Sequence, residues 1–226
     1  MTQRQRSLKN PARTSGERYK ILADSLMGNG GRSKNSLRSL RGLRLTANFS
    51  SSGQDGMKIR AAVNADRDAI WNIFHEVIAA SETYPINPDI SRNDALAYWF
   101  QSGAHAYVAE QHLRSGGKQE RQIVGSYTVH PNQAGGGAHV ANAAFIVAKG
   151  ARGGGIGRGL GEYCLNEARR LGFQAMQFNF VISTNEAAVK LWQDLGMKIV
   201  GTLPGAFHHP AKGYVDVYVM YRSLLP

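Results

Sequence analysis

Cysteine is nearly absent from this chain of 226 residues, because Cys164 is the only one. A single cysteine excludes an internal disulfide framework and a zinc site built on cysteines, and it fits a reducing compartment. Long apolar runs are missing as well. None approaches the roughly 20 residues that span a bilayer, and the N-terminus lacks the apolar centre of a secretory signal. We therefore expect a cytoplasmic protein with no membrane association.

Acidic residues are scarce in the first quarter of the chain. Residues 1–56 contain 11 of the 27 Lys and Arg residues but only three of the 16 Asp and Glu residues, so most of the net charge of +11 lies there. A nucleic-acid-binding domain would carry such charge as a stripe on its folded surface. The uneven distribution therefore argues against a nucleic-acid partner.

Large apolar residues are also few between Thr2 and Ser52, a segment rich in Arg, Ser, Gly and Asn. This composition predicts a disordered or weakly helical tail, and it is also typical of an organellar transit peptide. Met57 begins the first strand-like run and is an alternative start. We divide the chain into a basic tail, residues 1–56, and one folded domain, residues 57–226. Import into an organelle is the alternative to a cytoplasmic location.

Strand-like and helical patterns follow one another after Met57, which predicts an α/β domain. Strands are expected at 57–63, 104–110, 122–129, 139–147, 175–181, 197–203 and 214–221. Helices are expected from a cap at Asn64, over 92–101, over 155–171, and after Ser183, which forms a capping box with Glu186. Residues 114–117 supply a hairpin turn, and Cys164 is interpreted as a core residue of the third helix.

A glycine-rich turn, VAKGARGGGIGRG at residues 147–159, joins a predicted strand to the long third helix. Glycines let backbone N–H groups approach a phosphate, and the helix N-terminus adds partial positive charge there. Lys149, Arg152 and Arg158 flank the turn. It contains neither Gly-Lys-Ser/Thr nor G-x-G-x-x-G, which disfavours an ATPase and a dinucleotide dehydrogenase. The turn therefore predicts an anion-binding cradle.

The stretch from Arg152 to Gly157 has the pattern R-x-x-G-x-G. It resembles the pyrophosphate-binding motif of the GCN5-related N-acetyltransferase (GNAT) superfamily, and residues 185–197 resemble the helix that follows in that superfamily. The resemblance implies a mixed, mostly antiparallel sheet of about seven strands flanked by about four helices. It also implies acetyl-CoA as co-substrate and no metal. The cofactor-binding positions that it implies are Phe145, Ile146, Val147, Arg152, Gly153, Gly154, Gly155, Ile156, Gly157, Arg158, Gly159 and Asn185.

A closer resemblance, to the fungal acetyltransferases that detoxify proline analogues such as azetidine-2-carboxylate, rests on scattered positions. They are residues 83–85, 98–100, 125–132, 142–147, 178–180 and 184–185. It implies that Asn142, Asn179 and Asn185 line the acceptor site and take part in catalysis. Phe180 and Tyr84 are further implied substrate contacts. By strand alternation we expect Asn179 to share a face with Gln177 and Val181.

Two residues that many superfamily members carry are missing. Trp192 stands where they have a tyrosine that protonates the leaving thiolate, and an indole N–H is no useful acid at neutral pH. No glutamate precedes the glycine turn on its strand, so no general base is evident. Asn185 is then the candidate that assists the thiolate; the alternative is unassisted departure, because a thiol with a pKa of about 8.5 leaves as its anion. Either water ordered by the asparagines takes the amine's proton or the amine binds neutral.

The histidines are interpreted without a metal. His208 and His209 are expected in a loop, residues 205–213, at the rim of the acceptor pocket, and they lack a third ligand at metal spacing. His75 is interpreted as a partly buried structural residue of the first helix.

The sequence as a whole predicts an acetyl-CoA-dependent N-acetyltransferase for a small-molecule amine or imino acid. We expect direct attack on the thioester, with a backbone N–H in 145–147 stabilising the oxyanion. The alternatives are another amine acceptor, such as an antibiotic or a protein N-terminus, a non-catalytic acyl-CoA sensor, and a basic nucleic-acid module. A homodimer is left open.

Overall fold

The computed structural model describes residues 56–115 and 118–226 of the chain. The strands are β1 (Lys58–Ala61), β2 (His105–Ser115), β3 (Lys118–Pro131), β4 (Val140–Val147), β5 (Ala175–Ile182), β6 (Lys198–His209) and β7 (Gly213–Ser223). The helices are α1 (Arg67–Ala79), α2 (Arg92–Trp99), α3 (Ile156–Arg170) and α4 (Glu186–Asp194). The predicted basic tail and the glycines at the tip of the first hairpin lie outside the described residues.

The seven described strands form one sheet in the order β1-β2-β3-β4-β5-β7-β6. Every neighbouring pair is antiparallel except β4 and β5, which are parallel. The chain connects β4 to β5 through the glycine turn and α3. Two parallel strands need such a long crossover, because the chain must return to the same end of the sheet. The mixed, mostly antiparallel sheet that we expected is confirmed.

The parallel contact between β4 and β5 is short. It comprises only Val140 opposite Ala175 and Ala141 opposite Met176, whereas β4 stays paired with β3 as far as Val147. From residue 142 onward, β4 therefore has a partner strand on one edge only. The two strands diverge and leave a gap between their C-terminal halves, next to the glycine turn.

Helices cover the sheet on both sides, and the side chains of β3 point alternately toward the two helical layers. Tyr127 and Val129 pack under α3 and α4 with Leu160 and Trp192, on what we call the α3 face. Ser126 points to the opposite side, the α1 face, where its hydroxyl accepts a 3.0 Å hydrogen bond from the indole of Trp99. The α1 face is closed by α1 and α2, with Phe74 and Ile146 in its core.

Two predicted helix caps are wrong. Helix α1 begins at Arg67 after a 3-10 turn at Asn64–Asp66, and the Asn64 side chain accepts from the Arg67 guanidinium instead of capping the helix. Helix α4 begins at Glu186, and Asn185, not Ser183, is its N-cap: its side-chain oxygen accepts from the N–H of Ala188 at 3.3 Å.

Three further expectations need correction. A bulge between Phe178 and Val181 returns Val181 to the α3 face with Phe178, so Val181 does not share a face with Asn179. His208 and His209 lie in β6 and not in a loop, because the β6–β7 hairpin extends to His209 opposite Gly213. His75 is exposed, and its ring lies 4.8 Å from that of Trp71, at an interplanar angle of 39°.

Candidate active site

The glycine turn presents backbone at the start of α3. Gly153 and Gly155 both have φ of +79°, in the left-handed region that residues with a Cβ adopt only under strain. Gly155 is the N-cap of α3, whose first turn contains no acidic side chain. The first N–H groups of a helix have no partner inside the helix, so they and the helix dipole favour an anion at this point.

Two cations of the turn are free for such an anion. Arg158 is not, because its guanidinium donates to the Asp194 carboxylate at 2.9 Å. Lys149 and Arg152 are exposed, and within the described part of the chain neither side chain forms an ion pair. Arg152, the first residue of the predicted pyrophosphate motif, and Lys149 therefore supply the available positive charge.

The free edge of β4 begins where β5 diverges. The N–H of Ala148 donates to the carbonyl of Val124 on the β3 side, at 2.9 Å. Because hydrogen-bonding direction alternates along a strand, Ala143, Phe145 and Val147 direct their backbone groups toward the gap. The backbone N–H and C=O groups on this edge of β4 have no partner strand among the described residues.

The hydroxyl of Tyr84 occupies part of that edge. It donates to the carbonyl oxygen of Phe145 at 2.7 Å and accepts from the N–H of the same residue at 2.9 Å. Burial raises the pKa of Tyr84, so the hydroxyl stays neutral. The Phe145 N–H that we expected to stabilise an oxyanion is thus already paired with Tyr84, whereas the Val147 N–H faces the gap without that hydroxyl.

Aromatic rings line the gap on the α3 face. The ring of Phe145 lies 4.7 Å from Trp192 and 5.9 Å from Phe178, measured between centroids. Trp192 is 8% exposed and packs against Phe178 at 4.8 Å. A Cβ on Gly161 of α3 would meet the Trp192 ring at 2.9 Å, so glycine is required for this close approach. Trp192 is therefore a core residue.

Polar side chains gather on the α1 face beside the gap. Side chains alternate along a strand, so Asn142 of β4 lies on the α1 face with Ile146. Asn179 of β5 also lies on the α1 face, because its neighbour Phe178 lies on the α3 face. Asn142 is half-buried, whereas Asn179 is exposed. The Asn179 amide donates to Asn132 at 2.7 Å and accepts from Gln177 at 2.7 Å. The structure thus brings Asn142 and Asn179 to neighbouring strands on one face.

The remaining predicted residues are more scattered. Asn185 caps α4 at the end of β5 and does not belong to the amide cluster of Asn132, Gln177 and Asn179. Phe180 packs in a separate small core with Phe207. Cys164 is fully buried, which raises the pKa of its thiol and agrees with a core role.

Two polar residues of this face, His130 and Asn132, were not predicted as site residues. Gln177, which we expected on the same face as Asn179, donates to it at 2.7 Å. We ended the third strand at Val129, although β3 continues through His130 and Pro131. Extending the alternation of β3 by one step would have placed His130 on the same face as Ser126. The contact between Asn132 and Asn179 joins residues 47 apart and leaves no local signal.

Among the residues that the structure describes, no helix is long and apolar enough to cross a bilayer. Over the same residues, no three His, Cys, Asp or Glu side chains come together as metal ligands would.

Comparison with known proteins gives consistent matches. A sequence model of the acetyltransferase (GNAT) family matches residues 71–197. N-acetyltransferase aca1 of Schizosaccharomyces pombe is 30% identical over 151 residues, which cover 63% of this chain and 72% of that protein.

Solved structures share the fold as well. A GCN5-related N-acetyltransferase from Kribbella flavida is 43% identical with a TM-score of 0.68, over 75% of this chain and 98% of that chain. A phosphinothricin acetyltransferase from Sinorhizobium meliloti, solved in complex with AcCoA, has a TM-score of 0.62 over 74% of this chain and 88% of its own. Its identity is 21%, so that likeness concerns the fold alone.

Proposed function

Because this chain belongs to the acetyltransferase (GNAT) family, we propose that it transfers the acetyl group of acetyl-CoA to the nitrogen of a small amino or imino acid. The observation that carries the proposal is the divergence of β4 and β5 directly beside a glycine turn at the start of α3. The turn suits a pyrophosphate, and the gap suits an extended chain that ends in a thioester.

The pyrophosphate would lie against the N–H groups around Gly153 and Gly155, with Lys149 and Arg152 beside it. Helix N-termini bind phosphate in this way, since the unpaired N–H groups and the helix dipole act together. The pantetheine arm contains amides, so it would pair with the edge of β4 at Ala143 and Val147, on either side of the Tyr84 hydroxyl at Phe145, as an added strand does. Its thioester would then lie near Phe145.

The acceptor would bind on the α1 face beside the gap. The side chains there are amides, and an amide NH₂ donates well to the carboxylate of an amino or imino acid. Asn142 and Asn179 are the proposed carboxylate contacts, with Tyr84 and Phe180 as walls of the site. Asn179 would exchange its present partner, Asn132, for the acceptor.

Transfer would proceed by direct attack of the acceptor nitrogen on the thioester carbonyl. The Val147 N–H is the free donor for the developing oxyanion. The Phe145 N–H and the Tyr84 hydroxyl bond to each other's residue, so either would have to exchange that partner for the oxyanion. Trp192 supplies no proton to the departing sulfur. A thiol with a pKa of about 8.5 leaves as its anion, and the Asn185 amide is the nearest proposed donor to it.

The test is a thiol-release screen with acetyl-CoA against amino acids, cyclic imino acids, amines without a carboxylate, and short peptides. We expect release of CoA thiol with acceptors that carry a carboxylate next to the nitrogen. Release only with peptides or with carboxylate-free amines would contradict the proposed acceptor. Tight CoA binding without thiol release from any amine would support an acyl-CoA sensor instead.

A further inference from the structure

We propose that His130 accepts the proton that the acceptor nitrogen loses during acetyl transfer. The inference rests on the proposed function, because it takes the acceptor to bind on the α1 face beside Asn142 and Asn179. His130 was not among the residues that the sequence singled out, and it supplies the general base that the missing glutamate left unassigned.

Its position follows from the register of the sheet. His130 of β3 is directly opposite Asn142 of β4. Cross-strand partners share a face and have Cβ atoms about 4.5–5.5 Å apart. His130 therefore stands next to the proposed carboxylate contact Asn142, on the face that also carries Gln177 and Asn179.

The ring of His130 is oriented by the backbone. Its Nδ1 lies 2.9 Å from the carbonyl oxygen of Pro131. A carbonyl oxygen can only accept, so Nδ1 carries the hydrogen and Nε2 of the neutral ring has a free lone pair. No hydrogen bond joins Nε2 to any side chain or backbone group that the structure describes. A half-buried basic nitrogen thus has no partner within the described protein.

His130 is also chemically distinct from its neighbours. The other polar side chains of the cluster are the neutral amides of Asn132, Asn142, Gln177 and Asn179. Desolvation by burial lowers the pKa of His130, and the hydrogen bond to the Pro131 carbonyl opposes that effect only in part. The imidazole is therefore neutral at physiological pH and ready to accept a proton.

Burial and the hydrogen bond to the Pro131 carbonyl shift the pKa of His130, and no charged side chain is among the causes. On β2, His105 is opposite Val129 and so faces α3. The helical layer of the α1 face carries the ionisable residues Arg67, Asp68, His75, Glu76, Glu82, Tyr84, Asp89, Arg92, Asp94 and Tyr98. None of them forms a hydrogen bond or an ion pair with His130, whose described partner is the Pro131 carbonyl. Burial raises the pKa of Tyr84 and of Tyr98. Because the acceptor amine has a pKa of its own, a change of slope near the pKa of a histidine is assigned to His130 only where His130→Gln removes it and His139→Gln does not.

The neutral acceptor nitrogen forms a bond to the acetyl carbon and becomes cationic, while the carbonyl becomes an oxyanion. The nitrogen's proton passes to Nε2 of His130, directly or through one water. The oxyanion reforms the carbonyl, the C–S bond breaks with its electron pair on sulfur, and His130 returns its proton to solvent. The amine that has attacked is a much stronger acid than the free ammonium, so an imidazole suffices.

The test compares pH profiles of kcat/KM for the wild-type enzyme, His130→Gln and His139→Gln. His139 is the matched control, since its Nδ1 also contacts a backbone carbonyl, that of Gly136 at 3.1 Å, but its ring is exposed outside the amide cluster. We expect His130→Gln to lower kcat/KM roughly 100-fold at neutral pH, as loss of a general base does. It should also abolish the acidic limb of the profile while CoA affinity stays unchanged.

Each outcome decides the question. An acidic limb that is the same in His130→Gln as in the wild-type enzyme and His139→Gln would overturn the proposal. If the variant fails to fold, NMR titration of the wild-type His130 ring replaces it, and a pKa that differs from that of the acidic limb refutes the role. If only another class of amine is acetylated, the proposed acceptor is wrong, and the same comparison on that amine decides the role of His130. Absence of turnover with every amine would refute both.

Discussion

Replacement of Gly155 by valine should separate cofactor binding from stability. Gly155 and Gly172 both have positive φ, +79° and +89°, one at the start of α3 and the other just after its end. A residue with a Cβ in this conformation is strained by about 1–2 kcal/mol, so Gly155→Val and Gly172→Val should lower stability by similar amounts. Only Gly155 lies in the proposed pyrophosphate cradle.

The difference in acetyl-CoA KM between the two variants measures what the proposed pyrophosphate cradle contributes to cofactor binding. Loss of one hydrogen bond to a charged group costs about 1.5–3 kcal/mol. Gly155→Val should therefore raise the KM for acetyl-CoA roughly 10- to 150-fold, with little change in the KM for the acceptor. Gly172→Val should leave both constants near those of the wild-type enzyme. Steady-state kinetics and melting temperatures of both variants test this, and equal effects on acetyl-CoA would refute the cradle.

The remaining predictions concern the acceptor, the thiolate and the domain boundary. Asn142→Ala and Asn179→Ala should each lower kcat/KM for the acceptor roughly 10- to 100-fold without changing CoA affinity; a parallel loss for both substrates would instead indicate a structural role. Asn185→Ala should lower kcat more than it changes acceptor KM, but it also removes the α4 cap, so its melting temperature must be measured alongside. A chain that begins at Met57 should fold and retain its activity; loss of either would contradict the proposed domain boundary.

Much of the fold was predictable because its signals are local. The glycine turn and the long helix after it follow one another in sequence, so Gly155 could be placed at the start of α3 from its neighbours alone. The cap prediction for α4 failed because two nearby polar residues can each serve as the N-cap. Ser183 and Asn185 are both good caps by residue type, and only the direction of the chain leaving β5 selects Asn185.

The candidate site was less predictable because it depends on contacts between distant residues. The divergence of β4 from β5 leaves no trace in either strand's pattern. The bulge after Phe178 shifts Val181 to the other face of the sheet, and no glycine in β5 indicates a bulge there. The hydroxyl of Tyr84 meets Phe145 across 61 residues of chain. Resemblance indicated that Tyr84 belonged to the site, but not that it pairs with the edge of β4.

The most direct test of acetyl transfer follows the acetyl group itself. The protein is incubated with acetyl-CoA labelled with ¹³C in the acetyl group and with the best amino or imino acid of the thiol-release screen, and the products are identified by mass spectrometry. Our account predicts the label in an amide on the acceptor nitrogen, in equal amount to the CoA thiol released. Label recovered only as free acetate, or left on CoA, would contradict it.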